Sequence, residues 1–159
     1  MNRITKTLAL AAVVLAGAFG ATAAQASAAN FNVDFKVYND ASVSMIRITD
    51  PLPSTVTGLI APPSPIAAGS YDPASGNAVW SDQLPGLGHS ATVNLTYGRA
   101  SDGQAQCTFT MKITHDSNSN PYLLQLSATS TSPCTVSTSS VRTIDGQFTA
   151  QPSVLNWND

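Results

Sequence analysis

Along most of the chain after residue 29, hydrophobic and polar residues alternate with a period of two. Phe31, Val33, Phe35 and Val37 alternate with Asn32, Asp34, Lys36 and Tyr38, the pattern of a strand with one buried face. Asn39-Asp40 breaks this run, and Val43 to Thr49 reads as the next strand. A shorter apolar run, Val56 to Ala61, follows Pro51 and Pro53. Pro62, Pro63 and Pro65 then forbid a central strand, because proline has no N–H to give to a sheet ladder. Residues 62–88 form the longest irregular stretch, interrupted by a short strand around Trp80 (Ala78 to Ser81).

The clearest hairpin comes next. Ala91, Val93, Leu95 and Tyr97 alternate on one strand and Cys107, Phe109, Met111 and Ile113 on its partner, with Asp102-Gly103 as turn residues between them. After a polar turn at 115–121, Tyr122, Leu124, Leu126 and Ala128 continue the pattern. Cys134 to Ser137, Val141 to Ile144 and Gln147 to Ala150 predict the last strands, with Asp145-Gly146 turning between the final two. Val154, Leu155 and Trp157 are expected to pack the C-terminus down. No window shows a 3.6-residue apolar period. About nine short strands at regular spacing predict a single antiparallel β-sandwich with one disulfide, or a barrel-like variant of it.

The first 28 residues do not belong to this pattern. Arg3 and Lys6 precede an apolar run from Leu8 to Phe19, and Ala26-Ser27-Ala28 satisfies the small-residue rule for signal peptidase. The run is too short to span a bilayer, which takes roughly 20 apolar residues. A cleavable signal peptide at 1–28 and a single β domain at 29–159 are therefore expected, with the product secreted or periplasmic. The alanine-rich signal is of a bacterial kind. No later run is long enough for a transmembrane helix.

Removing the signal changes the charge balance. Lys36, Arg47, Arg99, Lys112 and Arg142 remain against nine aspartates, a net charge of −4, and glutamate is absent. That balance speaks against nucleic acid and anionic membranes as partners. Abundant Ser, Thr, Asn, Gly and Pro suit strands and turns better than helix interiors. In an oxidising compartment Cys107 and Cys134 read as a disulfide instead of a reactive pair.

Candidate chemistry is sparse. His89 and His115 are the only histidines. Either could be combined with Asp102 or Asp116, or His89 with Ser90, into a hydrolytic site, but no nucleophile elbow is present and no H-E-x-x-H helix can exist without glutamate. Asp40, Asp50, Asp72, Asp82, Asp102, Asp116 and Asp145 occupy turn-like contexts, where aspartate caps its own backbone. Asp116-Ser117-Asn118-Ser119-Asn120 has oxygen ligands at alternate positions, as a calcium loop requires. The glycine and the closing glutamate are replaced by Pro121 and Ser127, so a plain loop fits better, and no metal or cofactor is expected.

Tyr71 and Trp80, in the proline-rich stretch, and the two histidines are the binding candidates. Trp80 has a competing role as a core residue. In general look the chain resembles secreted sandwiches of lectin-like, inhibitor-like and pore-forming kinds, with no motif that separates them. The leading expectation is a non-enzymatic binding protein whose ligand is an extracellular protein, carbohydrate or lipid, carried on the 62–88 stretch with the 115–121 turn beside it. A small His/Asp hydrolase and a pore-forming protein are the alternatives.

Overall fold

A computed structural model describes residues 28–116, 121–130 and 134–158. Residues 1–27, nearly all of the segment expected to be a signal peptide, and most of the 116–120 oxygen-rich loop lie outside the described residues. Eleven strands form among them, and no helix. They are β1 (Ala29–Asn39), β2 (Met45–Arg47), β3 (Val56–Thr57), β4 (Tyr71–Asp72), β5 (Ala78–Leu84), β6 (Ser90–Arg99), β7 (Cys107–His115), β8 (Tyr122–Ser130), β9 (Cys134–Val136), β10 (Ser140–Thr143) and β11 (Gln147–Trp157).

Two sheets face each other. The six-stranded sheet runs β3-β5-β1-β11-β9, with β4 also paired to β1 beyond the end of β5; the five-stranded sheet runs β10-β8-β7-β6-β2. The architecture is a sandwich, not a closed barrel. Alternation explains the core directly. Phe31, Val33, Phe35, Trp80, Leu155 and Trp157 come from one inner face, and Leu95, Tyr97, Phe109, Met111, Ile113 and Leu124 from the other. Each such aliphatic or aromatic side chain contributes about 1.5–3 kcal/mol through removal from water.

One pairing departs from the antiparallel expectation. β1 runs parallel to β11, from Asn32↔Gln147 to Asn39↔Trp157. Alternation specifies which side chains face inward, but it is the same for both strand directions. The Asp145-Gly146 turn therefore does not close a hairpin: β10 pairs with β8 in one sheet, and β11 crosses to β1 in the other. Gly146 has φ +74°, and a Cβ there would stand 2.7 Å from the Asn30 carbonyl oxygen. Its own carbonyl accepts the Asn32 N–H at 2.9 Å. Only glycine satisfies both the backbone conformation and this approach.

The last strand is also longer than the alternation suggests, because its register jumps. Val33 faces Phe148, but Phe35 faces Ser153. The extra residues form a bulge that takes in Pro152, a residue unable to donate to the ladder.

The two sheets are tied together in two ways. Cys107 on the central strand β7 is bonded to Cys134 on the edge strand β9, with a Cα–Cα distance of 6.3 Å. Nearby, the Trp157 indole N–H donates to the Ala105 carbonyl at 2.9 Å. The chain between β2 and β4 crosses from one sheet to the other carrying five prolines and the two-residue β3. With the cysteines 27 positions apart, replacing both by alanine is expected to cost about 3 kcal/mol. A lowered urea midpoint is the readout, with a slope that can rise as the unfolded chain expands; an unchanged midpoint would show that packing alone holds the sheets together.

Candidate functional site

The four candidate residues are distributed over three places. Trp80 points inward from β5, is 1% exposed, and meets Phe31 edge to face with ring centroids 4.8 Å apart. It is a core residue beneath the surface it was expected to help form. The 62–88 stretch is likewise not one loop, since it contains β4 and the seven-residue β5.

His89 and His115 fall at one end of the five-stranded sheet. The β6–β7 register pairs Ser90 with Thr114, which brings residues 89 and 115 opposite each other; the His115 N–H donates to the His89 carbonyl at 3.0 Å. His89 is exposed. His115 lies flat against Tyr122, with centroids 4.9 Å apart and an interplanar angle of 5°. Its Nδ1 has no hydrogen-bond partner among the described residues.

The aspartates considered as partners for these histidines are committed elsewhere. Asp102 caps the far turn of the β6–β7 hairpin, accepting from the Gln104 N–H at 2.9 Å and pairing with Arg99 at 3.2 Å. The nine-residue β7 separates it from His115, on the order of 30 Å at the rise of an extended strand. Asp116 accepts two hydrogen bonds from the Arg142 guanidinium, at 2.7 and 3.0 Å. That contact holds its carboxyl below the usual carboxylate value. Ser90 follows His89 on a strand, so the two side chains point to opposite faces. No group of three or more His, Cys, Asp or Glu side chains capable of holding a metal exists among the described residues.

Tyr71 is the candidate that the fold presents to solvent. Even-numbered residues of β1 face outward, and β4 lies beside the end of β1 with Tyr38 opposite Tyr71. The two rings are 4.7 Å apart and tilted by 34°. Tyr71 remains 38% exposed, and the Lys36 ammonium stands 5.3 Å from its ring centroid.

From this aromatic pair a row of cross-strand polar pairs continues along β1. The Asn77 amide donates to Asp34 at 3.1 Å, the Ser81 hydroxyl to Asn32 at 2.7 Å, and the Gln83 amide to Asn30 at 3.1 Å. Asn30, Phe31, Asn32, Ser81, Asp82, Gln83 and Gln147 line a shallow open depression of about 550 Å³. These contacts hold the side-chain oxygens of Asn30 and Asn32 and leave their N–H₂ groups for other acceptors.

A buried polar cluster lies on the inner side of the same strand β4. Tyr71 faces out, so Asp72 faces in, where it is fully buried. One carboxylate oxygen accepts the Tyr97 hydroxyl at 2.7 Å and the other the Ile60 N–H at 2.7 Å. Arg47 sits opposite Tyr97 in the β2–β6 register and is only 4% exposed. Its Nε and Nη1 have no hydrogen-bond partner among the described residues, and its charge acts on both Asp72 and Tyr97.

Burial pushes the Asp72 carboxyl above its ordinary value, against the opposing effects of the Ile60 N–H, the Tyr97 hydroxyl and the Arg47 charge. Burial and then the Asp72 charge push the Tyr97 phenol well above its own ordinary value. Two signals for this cluster were present in the sequence. Met45 and Arg47 share a face, so an inward Met45 implies an inward Arg47. An inward tyrosine such as Tyr97 also requires a buried partner for its hydroxyl.

Folded Asp72 keeps its proton to higher pH than it does in the unfolded chain, where 3.8 applies. Protonation of this group therefore favours the folded state. Its contribution to stability falls as pH rises from about 3.8 through the raised native value. The unfolding free energy of the wild type minus that of Asp72→Asn should slope downward over this window and flatten above it. A difference that is flat throughout would show that Asp72 titrates alike in both states.

The chain matches no protein-family model, no curated protein and no solved structure, so its function has to be read from these side chains.

Proposed function

We propose that this chain is an exported, non-enzymatic binding module that holds an uncharged, hydroxyl-rich ligand of carbohydrate type on the outer face of its six-stranded sheet. The observation that carries this reading is the exposed Tyr71, paired with the half-buried Tyr38, standing at the end of a row of amide and hydroxyl side chains. A sugar ring offers an apolar C–H face that stacks on an aromatic ring. Its hydroxyls both donate and accept, and primary amides do the same. Lys36 stands beside Asp34, and Asp82 in the lining of the depression leaves the surface with no positive excess, which favours a neutral ligand over an acidic one.

Export is supported by the signal-like segment at residues 1–28 and by the Cys107–Cys134 disulfide. No helix of the described residues is long and apolar enough to cross a membrane. The proposed surface differs from the loop expected from sequence in one respect. Of the 62–88 stretch it uses Tyr71, Ser81 and Gln83, set by strand pairing to β1, and Asn77, held by its hydrogen bond to Asp34, and not the prolines.

The test is binding to a panel of neutral polysaccharides and oligosaccharides by affinity electrophoresis, with chemical-shift mapping of the best ligand. Tyr71→Ala and Tyr38→Ala are each expected to weaken binding by up to about tenfold, the equivalent of ~1.4 kcal/mol for a lost aromatic contact. Both changes lie on the surface, so thermal melting should move little. Binding unaffected by either change, or shifts that map to another surface, would overturn this placement. A panel without any binder would overturn the ligand class.

A further inference from the structure

We propose that residues 58–65 form a cover that opens as a local unit over the corner occupied by Arg47, Asp72 and Tyr97, with the Asp72 carboxylate as its latch. The cover is well anchored at its ends and thinly held between them. On one side, β3 pairs with β5 through Val56↔Trp80 and Thr57↔Val79. On the other, Ile66 and Met45 exchange two backbone hydrogen bonds, at 2.7 and 3.0 Å, while the Asn39 side-chain amide donates to the Ile66 carbonyl at 3.0 Å.

Between those anchors, the one hydrogen bond from residues 58–65 to the rest of the described protein is the Ile60 N–H to Asp72 at 2.7 Å. The Ser64 N–H turns back to Ala61 within the segment. Pro62, Pro63 and Pro65 have no N–H to contribute. Leu59 and Ile60 add contacts with the core but are only partly buried.

The other side of the balance lies beneath the cover. Arg47 is buried with two N–H groups lacking an acceptor, and a buried charged donor without a partner is costly. Opening breaks a single charge-assisted bond and wets two half-buried aliphatic side chains. In exchange it hydrates the Asp72 carboxylate and the Arg47 corner. Such an opening lies well below global unfolding, because the Asp72–Tyr97 contact and both anchors can stay in place. In the open state the protein presents a guanidinium beside a carboxylate where the closed state presents a proline-rich apolar surface.

Amide hydrogen exchange of the full protein in native buffer tests this. The Ile60 amide is expected to exchange roughly 100-fold faster than that of Met111 in the centre of the five-stranded sheet, through an opening unaffected by low urea. Asp72→Asn, which weakens the acceptor, should speed Ile60 exchange by about a further tenfold relative to Met111. Tyr97→Phe, which removes the hydroxyl steadying the other oxygen, is the second variant should Asp72→Asn fail to fold, and is expected to act in the same direction. Exchange of Ile60 only at the rate of Met111 would overturn the cover. Equal acceleration of both amides in the variants would overturn the latch, making Asp72 part of the global stability alone.

Discussion

Strand β1 is hydrogen-bonded along its length, to β5 and then β4 on one side and to β11 on the other. That double pairing fixes its register, and the register divides its side chains into two populations. Phe31, Val33, Phe35, Val37 and Asn39 are buried, while Asn32, Asp34, Lys36 and Tyr38 stand on the outer face. A slip of one residue would exchange the two sets, placing four polar or charged groups in the core. The proposed ligand surface is therefore a by-product of core formation. No separate loop has to be ordered to create it, because Tyr71, Ser81 and Gln83 are brought beside β1 by strand pairing.

Two kinds of tie hold the sheets together at one end of the sandwich, where Cys107 lies opposite Tyr97 and Trp157 opposite Asn39. One is covalent, Cys107 to Cys134, reinforced by the Trp157–Ala105 hydrogen bond. The other is polar, with Asp72 from one sheet receiving the Tyr97 hydroxyl from the other. Nearby, Asn39 caps the local backbone through the Val43 and Ile66 carbonyls and the Ala41 N–H. Buried polar groups are stabilising only when satisfied. Asp72 and Asn39 meet that condition, whereas Arg47 does not among the described residues. The polar tie also lies beside the longest irregular connection among the described residues, between β3 and β4.

Much of this was legible in the chain itself. Period-two alternation located most of the strands and the inward side chains of β1, β6, β7 and β8, because side-chain direction on a strand is a local property. The disulfide was expected from an even pair of cysteines together with the expectation of export. Strand direction was not legible, because Gln147 to Trp157 alternates equally well for a parallel or an antiparallel neighbour. Nor was the sheet assignment of β10 and β11, since Asp145-Gly146 has the composition of a hairpin turn whether it reverses the chain or carries it across the sandwich.

The candidate site shows the same limit. Tyr71 and Trp80 are both aromatic residues near prolines, yet one is on the surface and one in the core. The difference is the parity of each relative to β1, which the irregular residues between them hide. Asp72 looked like a turn aspartate beside Pro73. Its role as acceptor for Ile60 and Tyr97 depends on partners 12 and 25 residues away, and no local pattern encodes them.

The parallel seam between β1 and β11 joins the beginning of the domain to its end. A chain made from its N-terminus has β1 available first and β11 last, so residues 32–39 face a long interval with one backbone edge unsatisfied. An open edge of alternating Phe and Val is a template for pairing with other chains. Sheet closure of this kind is slow, because its contacts span nearly the whole sequence. Until its last eleven-residue strand is in place, that edge of β1 has no partner within the domain. A chain ended before Gln147 would lack β11 altogether and keep the edge open to other chains, so it would not be a smaller version of the same domain.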